Sequence, residues 1–323
     1  MKLFNFKRPV ARLPPAELEL LVTLWPSFPH FKRFAQDNRL SAIRLNTAMV
    51  ENYELTSEFA LAKSIPTVPL YFDIKGRQLR IEESIIKPDR LELILNHPIA
   101  VQTPTMVLFK AGADYALLNE VKDGKHLIFD GGPEYVVKKG ESLHIRHPSL
   151  EVQGQQFTPY ELQKIDTAKK AGFRRYFLSY TESQRDVDEF RSYIGKDAEL
   201  MLKIESKKGL AYVENEFRKN GNTYLMAARG DLFVEVDKPH DILPAMRAIL
   251  AKDPEAAVGS RILLSTIHDP VPSCADLSEI AWLYDIGFRK MMLCDELCLK
   301  EELLSRAVNV FEAFRETYCN TKH

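Results

Sequence analysis

Short apolar runs recur along the chain, and from Thr158 onward they alternate regularly with stretches of helical period. Pro159–Ala171 reads as a helix with Thr158 as its N-cap and Gly172 as its stop. The alternation then continues: strand 173–179, helix 183–194, strand 200–204, helix 207–218, strand 224–228, helix 241–250, strand 261–265, helix 275–284, strand 288–293 and helix 299–315. The N-terminal part adds strand 19–24, helix 31–39, strand 42–46, helix 50–63 and strand 67–73, the last weakened by Pro69. Between Gly76 and Gln156 the helical period disappears. Runs at 91–95, 105–109, 135–137 and 143–145 read as strands, separated by Pro104, Gly112, Asp123-Gly124, Gly131-Gly132-Pro133 and Gly140.

Once that β-rich stretch is set aside, the count is eight strands in about 240 residues, the size of a (β/α)8 barrel. Strands that are apolar nearly throughout suit a parallel sheet buried on both faces. A doubly wound open sheet would alternate in the same way. The count, and the polar residues gathered at so many strand ends, favour the barrel. The expected fold is therefore a (β/α)8 TIM barrel formed by residues 1–75 and 157–323, with a small all-β domain, 76–156, inserted after strand three.

Composition narrows the function classes. Hydrophobic content of 45% and charged content of 28% are those of an ordinary globule, and a net charge of −1 gives no drive toward nucleic acid or an anionic membrane. No apolar run approaches the ~20 residues of a membrane span. Lys2, Lys7, Arg8 and Arg12 make the N-terminus a basic arm without a signal-peptide core. Four cysteines suggest no disulfide framework, and Cys294 and Cys298 lack the partners of a zinc site; a reducing cytoplasm fits.

In a (β/α)8 barrel the site lies at the C-terminal ends of the strands. Those ends carry Arg44 and Asn46, Asp73 and Lys75, Ser179, Lys203 and Glu205, Arg229-Gly230-Asp231, Ser265-Thr266 and Asp295-Glu296. Each has an ordinary explanation alone, as a cap or a surface ion pair; together they load one rim. Glu205 and Asp231 are hard oxygen ligands for Mg2+ or Mn2+. Lys203 is a point charge for a developing anion, Arg44 and Arg80 suit phosphate oxygens, and Thr266 can relay a proton. The Gly230-Asp231 turn, if it opens a helix, aims N–H groups at an anion. The implied substrate is a small anion bearing a carboxylate, with or without phosphate.

These residues resemble the pyruvate kinase family over roughly residues 19–316. Lys203-Ile204-Glu205 matches its K-I-E, and Ala228-Arg229-Gly230-Asp231-Leu232 its A-R-G-D-L; these are the specific signals. Arg44-Leu45-Asn46 matches R-L-N. Asp73-Ile74-Lys75-Gly76 with Leu79-Arg80 resembles D-T-K-G-P-E-I-R, and Asp130-Gly131 resembles the D-G of the family's inserted β domain. The resemblance implies that Lys203 stabilises the transferring phosphoryl group and the enolate. It implies that Glu205 and Asp231 hold the divalent metal, and that Ala228, Arg229 and Gly230 line the phosphoenolpyruvate or pyruvate pocket. Thr266 would sit beside the enol carbon, Arg44 and Arg80 would contact phosphate, and Asn46 and Asp73 would serve a K+ site.

The sequence departs from the family on the opposite side. Trp25 replaces a glycine, Ala48 a potassium-ligating serine, Met49 a histidine near the nucleotide, and Ile74 a threonine. The segment 267–276 is shorter than the family's loop, which helps build a subunit contact, and Cys294–Cys298 replaces S-G-E-T-A. The family's C domain is not expected here. The leading expectation is a Mg2+-dependent phosphotransferase on phosphoenolpyruvate, pyruvate or a related enol phosphate or 2-oxo acid, with a nucleotide as co-substrate and homo-oligomers open. One alternative is a metal-dependent lyase, aldolase or decarboxylase on a 2-oxo acid without nucleotide. Another is a non-catalytic metabolite-binding homologue.

Overall fold

The computed structural model describes residues 18–49, 55–65 and 68–319. The basic arm, the first turn of the helix expected from residue 50 and the start of the strand expected from residue 67 lie outside the described residues. Eight parallel strands close into a barrel: β1 (Glu19–Thr23), β2 (Ala42–Asn46), β3 (Leu70–Ile74), β4 (Arg175–Leu178), β5 (Glu199–Ile204), β6 (Thr223–Ala228), β7 (Ala257–Gly259) and β8 (Lys290–Met292). Each pairs with its neighbours in chain order, and β8 closes on β1 through Glu19↔Lys290 and Leu21↔Met292.

The helices between the strands start where local chemistry allows. They are α1 (Phe31–Ala35), α2 (Leu55–Ser64), α3 (Pro159–Lys170), α4 (Gln184–Ile194), α5 (Lys207–Asn215), α6 (Arg229–Glu235), α7 (Ile242–Lys252), α8 (Cys274–Ile286), α9 (Asp295–Cys298) and α10 (Glu301–Phe314). Thr158 and Glu161 form a reciprocal capping box at the start of α3, as Ser273 and Asp276 do for α8; Ser183 and Ser206 cap α4 and α5.

Strand alternation builds the barrel interior. Leu21, Ala42, Tyr71, Phe177, Met201, Met226, Ala257 and Met292 form one inward cluster, distinct from the outer core between strands and helices. Two residues further along each strand the same face comes round again. That places Thr23, Arg44, Asp73, Ser179, Lys203 and Ala228 in the next inward layer, at the C-terminal mouth. Sequence pattern alone thus stacks an apolar plug under a polar ring.

Two readings are corrected. Residues 261–265 are not the seventh strand. The strand is Ala257–Gly259; Ser260, Arg261 and Leu263 then turn through φ of 67°, 63° and 55°, and a 3-10 turn spans Leu264–Ile267. Gly259 leaves room for the methionines of the barrel interior: a Cβ there would lie 2.2 Å from Met226 Cε and 3.2 Å from Met292 Cε, so those side chains would have to shift. Tyr135–Val137 is also not a strand; that segment is irregular.

Between β3 and α3 lies a separate antiparallel sheet. Its order is His144–Ile145, Thr105–Phe109, Asp114–Lys122, His126–Asp130, Arg90–Leu95 and Ile81–Ile86, with a small ladder of Ile99–Ala100 on Glu151–Val152. It has its own core, which includes Leu93, Phe109, Leu118 and Phe129. Among the described residues no helix is long and apolar enough to cross a membrane.

Candidate active site

Two groups of charges meet at the mouth. On the β2, β3 and β8 side, Asp73 is fully buried and accepts from Arg44 (Nη2, 2.5 Å; Nε, 2.8 Å) and Lys75 (Nζ, 2.7 Å). Arg44 Nη1 reaches Asp295 at 2.7 Å, and Asn46 Nδ2 donates to the other oxygen of Asp295, also at 2.7 Å. Burial opposes the charge on Asp73, but Arg44, Lys203 and Lys75 outweigh it and hold the carboxyl well below its usual range. Burial pushes Lys75 down to about 7 against the pull of Asp73.

On the β5 and β6 side, Lys203 Nζ donates to Glu205 Oε1 and to Ser179 Oγ, both at 2.9 Å, and lies 3.9 Å from Asp73. Tyr180 N donates to the other Glu205 oxygen at 2.7 Å. Burial lifts Glu205 to about 7 against Lys203, and the neighbouring Asp231 carboxylate adds to the rise. Asp231 goes the other way. Burial opposes it, yet His144 and Lys203 hold it well below the usual carboxylate range. Two carboxylates this close, one driven toward protonation, fit a divalent cation: hard oxygen donors with an excess of negative charge. Among the described residues no cluster of three or more His, Cys, Asp or Glu forms a complete metal cage, so water or substrate would complete the shell.

The inserted sheet contributes residues that the sequence pattern does not signal. His144, fully buried, comes within 3.2 Å of Asp231 through Nε2, without the alignment of a hydrogen bond. Its Nδ1 pairs with Glu235 at 2.9 Å and meets Tyr180 Oη at 3.2 Å. Burial opposes its charge, but Asp231 and Glu235 raise the imidazole to about 9. Gln78 Nε2 donates to Asp231 at 3.3 Å, and Arg80 is aimed by Gln78 Oε1 (3.0 and 2.7 Å) and Gly140 O. Gln78 went unnoticed although it lies between Lys75 and Arg80 in a stretch already singled out, which is the signal that could have found it; nothing local pointed to His144.

The remaining candidates are placed differently. Ala228 ends β6, and Gly230 follows inside the first turn of α6, with Asp231 next. Arg229 turns away: Nη1 pairs with Glu279 at 2.6 Å and Nη2 donates to Ser260 O at 2.6 Å. Thr266 drops out of the rim because β7 ends earlier than expected. Its hydroxyl donates to Leu263 O at 2.6 Å and its carbonyl accepts from Arg306.

No family model matches the chain. Among curated proteins it is 26% identical over 298 residues to a pyruvate kinase of Methanocaldococcus jannaschii, covering 86% of this chain and 64% of that protein. It is 23% identical over 300 residues to a pyruvate kinase of Thermoplasma acidophilum, covering 86% and 54%. It is 25% identical over 276 residues to plastidial pyruvate kinase 2 of Arabidopsis thaliana, covering 75% and 46%. The chain therefore spans less than two thirds of the length of each of these relatives. With a closed barrel, an inserted β sheet and this similarity along most of its length, the chain is a divergent relative of the pyruvate kinases.

Proposed function

We propose that the chain is a divalent-metal-dependent phosphotransferase acting on phosphoenolpyruvate, pyruvate or a closely related enol phosphate or 2-oxo acid. The observation that carries this reading is the apposition of Lys203, Glu205 and Asp231 at the ends of two adjacent strands. Glu205 and Asp231 would hold Mg2+ or Mn2+, which when bound neutralises charge on the substrate oxygens. Lys203 is fixed by Glu205 and Ser179, so its ammonium stabilises charge that develops on an enolate or phosphoryl oxygen without reorganising. Arg80 has no carboxylate within ion-pair distance among the described residues, which leaves its charge for a phosphate. Ala228 and Gly230 present small residues and backbone beside Asp231, where a carboxylate-bearing substrate can approach.

That the relatives are pyruvate kinases supports phosphotransfer in general. A coupled assay with ADP, phosphoenolpyruvate and Mg2+ tests it, with pyruvate formation expected. No turnover, together with no thermal shift from ADP or ATP, would sink it. A second reading keeps metal and enolate chemistry but no nucleotide. It is favoured by the β2 and β3 side, where Asn46 and Asp73 are engaged by Asp295, Arg44 and Lys75. Binding of Mg2+ with oxalate, but of no nucleotide, would select that reading.

A further inference from the structure

A cavity of about 520 Å3 opens on the barrel flank between α7 and α8, within the ~300–1,000 Å3 range of small-molecule pockets. Phe233, Leu243, Met246 and Trp282 supply its apolar wall, and Arg229 and Arg261 its polar end. Leu243 is 48% exposed, so the apolar wall is open to solvent rather than closed over by the fold.

The polar end is out of balance. Arg229 is buried and uses both terminal nitrogens, on Glu279 and Ser260 O, yet its Nε is buried without a hydrogen-bond partner. Arg261 Nε is likewise buried without a partner, and no carboxylate lies within ion-pair distance of Arg261 among the described residues. Two guanidinium groups thus face the single carboxylate of Glu279. A guanidinium at a cavity without a carboxylate of its own is matched best by an anion. The Arg261 Cζ also lies over the Phe233 ring, 4.6 Å from its centre, and its residue sits at φ 63°, a conformation that disfavours side chains.

We propose that this flank cavity binds a small amphipathic monoanion: a flat apolar body against Leu243, Met246 and Trp282, with one carboxylate, sulfonate or phosphate on the Arg261 guanidinium. The site is separate from the barrel mouth, since Arg229 points away from Lys203 and Asp231. It also reaches the mouth through the backbone, because Arg229 directly precedes Gly230 and Asp231 in α6.

The test is a titration of the folded full chain with the fluorescent probe anilinonaphthalene sulfonate, which combines a flat apolar body with one anionic head. Trp282 lines the cavity and Trp25 is buried elsewhere, so energy transfer from Trp282 reports the location. One saturable site is expected. Arg261→Gln and Leu243→Glu, each checked for native circular dichroism, should each weaken binding about tenfold, the loss of one charge-assisted contact or of the apolar wall. Arg261→Lys should retain part of the affinity, Trp282→Phe should abolish energy transfer, and Lys203→Ala should leave binding unchanged. Unsaturable binding, wild-type affinity in both Arg261→Gln and Leu243→Glu, or exclusion of the probe by a self-associated form that covers the flank overturns the proposal.

Discussion

The two sides of the barrel mouth are built from the same residue types and are electrostatically unlike. On the β2, β3 and β8 side, Arg44 and Lys75 face Asp73 and Asp295, two cations against two carboxylates, all within direct contact. On the β5 and β6 side, Lys203 pairs with Glu205, His144 from the inserted sheet stands beside Asp231, and Arg80 acts on both carboxylates without contacting them as an ion pair. The first side is self-neutralised and closed. The second has one carboxyl held near neutrality and takes part of its compensating charge from a different sheet. A buried network satisfied internally fixes structure, whereas one satisfied from outside can exchange its partner for a ligand. That contrast, rather than the number of charged residues, separates scaffold from site.

The largest expected effect falls on the open side. Lys203→Ala should lower kcat in the pyruvate-forming assay by ~10^3-fold, the loss of one preorganised electrostatic group, while the fold survives. Survival is expected because Glu205, without its lysine, can take a proton instead of standing as a naked charge. Activity within a few-fold of wild type would remove Lys203 from the site. The closed side should behave oppositely. Asp73→Asn leaves Arg44 and Lys75 without their shared buried carboxylate and should cost about 3–5 kcal/mol in urea unfolding. Glu205→Gln, already close to neutral in its native setting, should cost less than about 1 kcal/mol but abolish Mg2+ binding by calorimetry. If the two substitutions destabilise equally, the distinction between scaffold and site fails.

Much of this division was legible in the sequence, for physical reasons that particular residues show. The β5 and β6 chemistry sits in short contiguous stretches at strand ends, Lys203-Ile204-Glu205 and Ala228-Arg229-Gly230-Asp231, so the local sequence keeps those residues together at the mouth. The barrel followed from local pattern too. The seventh strand did not: Arg261-Ile262-Leu263-Leu264 looks more strand-like than Ala257-Val258-Gly259, yet it is 257–259 that pairs with β6 and β8, with Gly259 beside Met226 in the interior. That pairing is tertiary, and the misplaced strand carried Thr266 onto the rim with it. His144 was invisible for a similar reason: its contact with Glu235 spans 91 residues and joins the inserted sheet to helix α6 of the barrel. Nor could spacing reveal that Arg229 turns outward, since that depends on Glu279 in α8.

A smaller effect tests the carboxylate pair through pH. Glu205 is raised from its unfolded value to about 7, so in the folded protein it is protonated more readily than in the unfolded chain. Its contribution to stability is therefore fully present below the unfolded pKa and is lost as pH rises through about 7. A divalent cation requires the ionised form, so metal binding must displace that proton. Mg2+ affinity measured by calorimetry should then rise about fivefold from pH 6 to 7, about tenfold from pH 6 to 8, and level off above pH 8. Asp231, held well below the usual range, contributes no slope in this window. A pH-independent affinity between 6 and 8 would show that Glu205 is not the limiting ligand.

The smallest effect concerns the monovalent cation, and it bears on the closed side. Asn46 and Asp73 are the residues the family resemblance would assign to K+. Here Asn46 donates its amide to Asp295 and accepts from Ala48 N, while Asp73 is shared among Arg44, Lys75 and Ser179. An oxygen cage for a potassium ion needs several uncommitted acceptors. Asn46 has already turned its donor toward the carboxylate, and Ala48 and Ile74 offer no side-chain oxygen. Fixed protein cations supply the charge that K+ would otherwise bring beside Asp73. Replacing K+ with tetramethylammonium at constant ionic strength should therefore change kcat by less than about twofold, because a site neutralised by its own arginine gains little from a further cation. A large activation by K+ would mean that Lys75 or Asn46 moves away from its partner during turnover, and the closed side of the mouth would then belong to the working site as well.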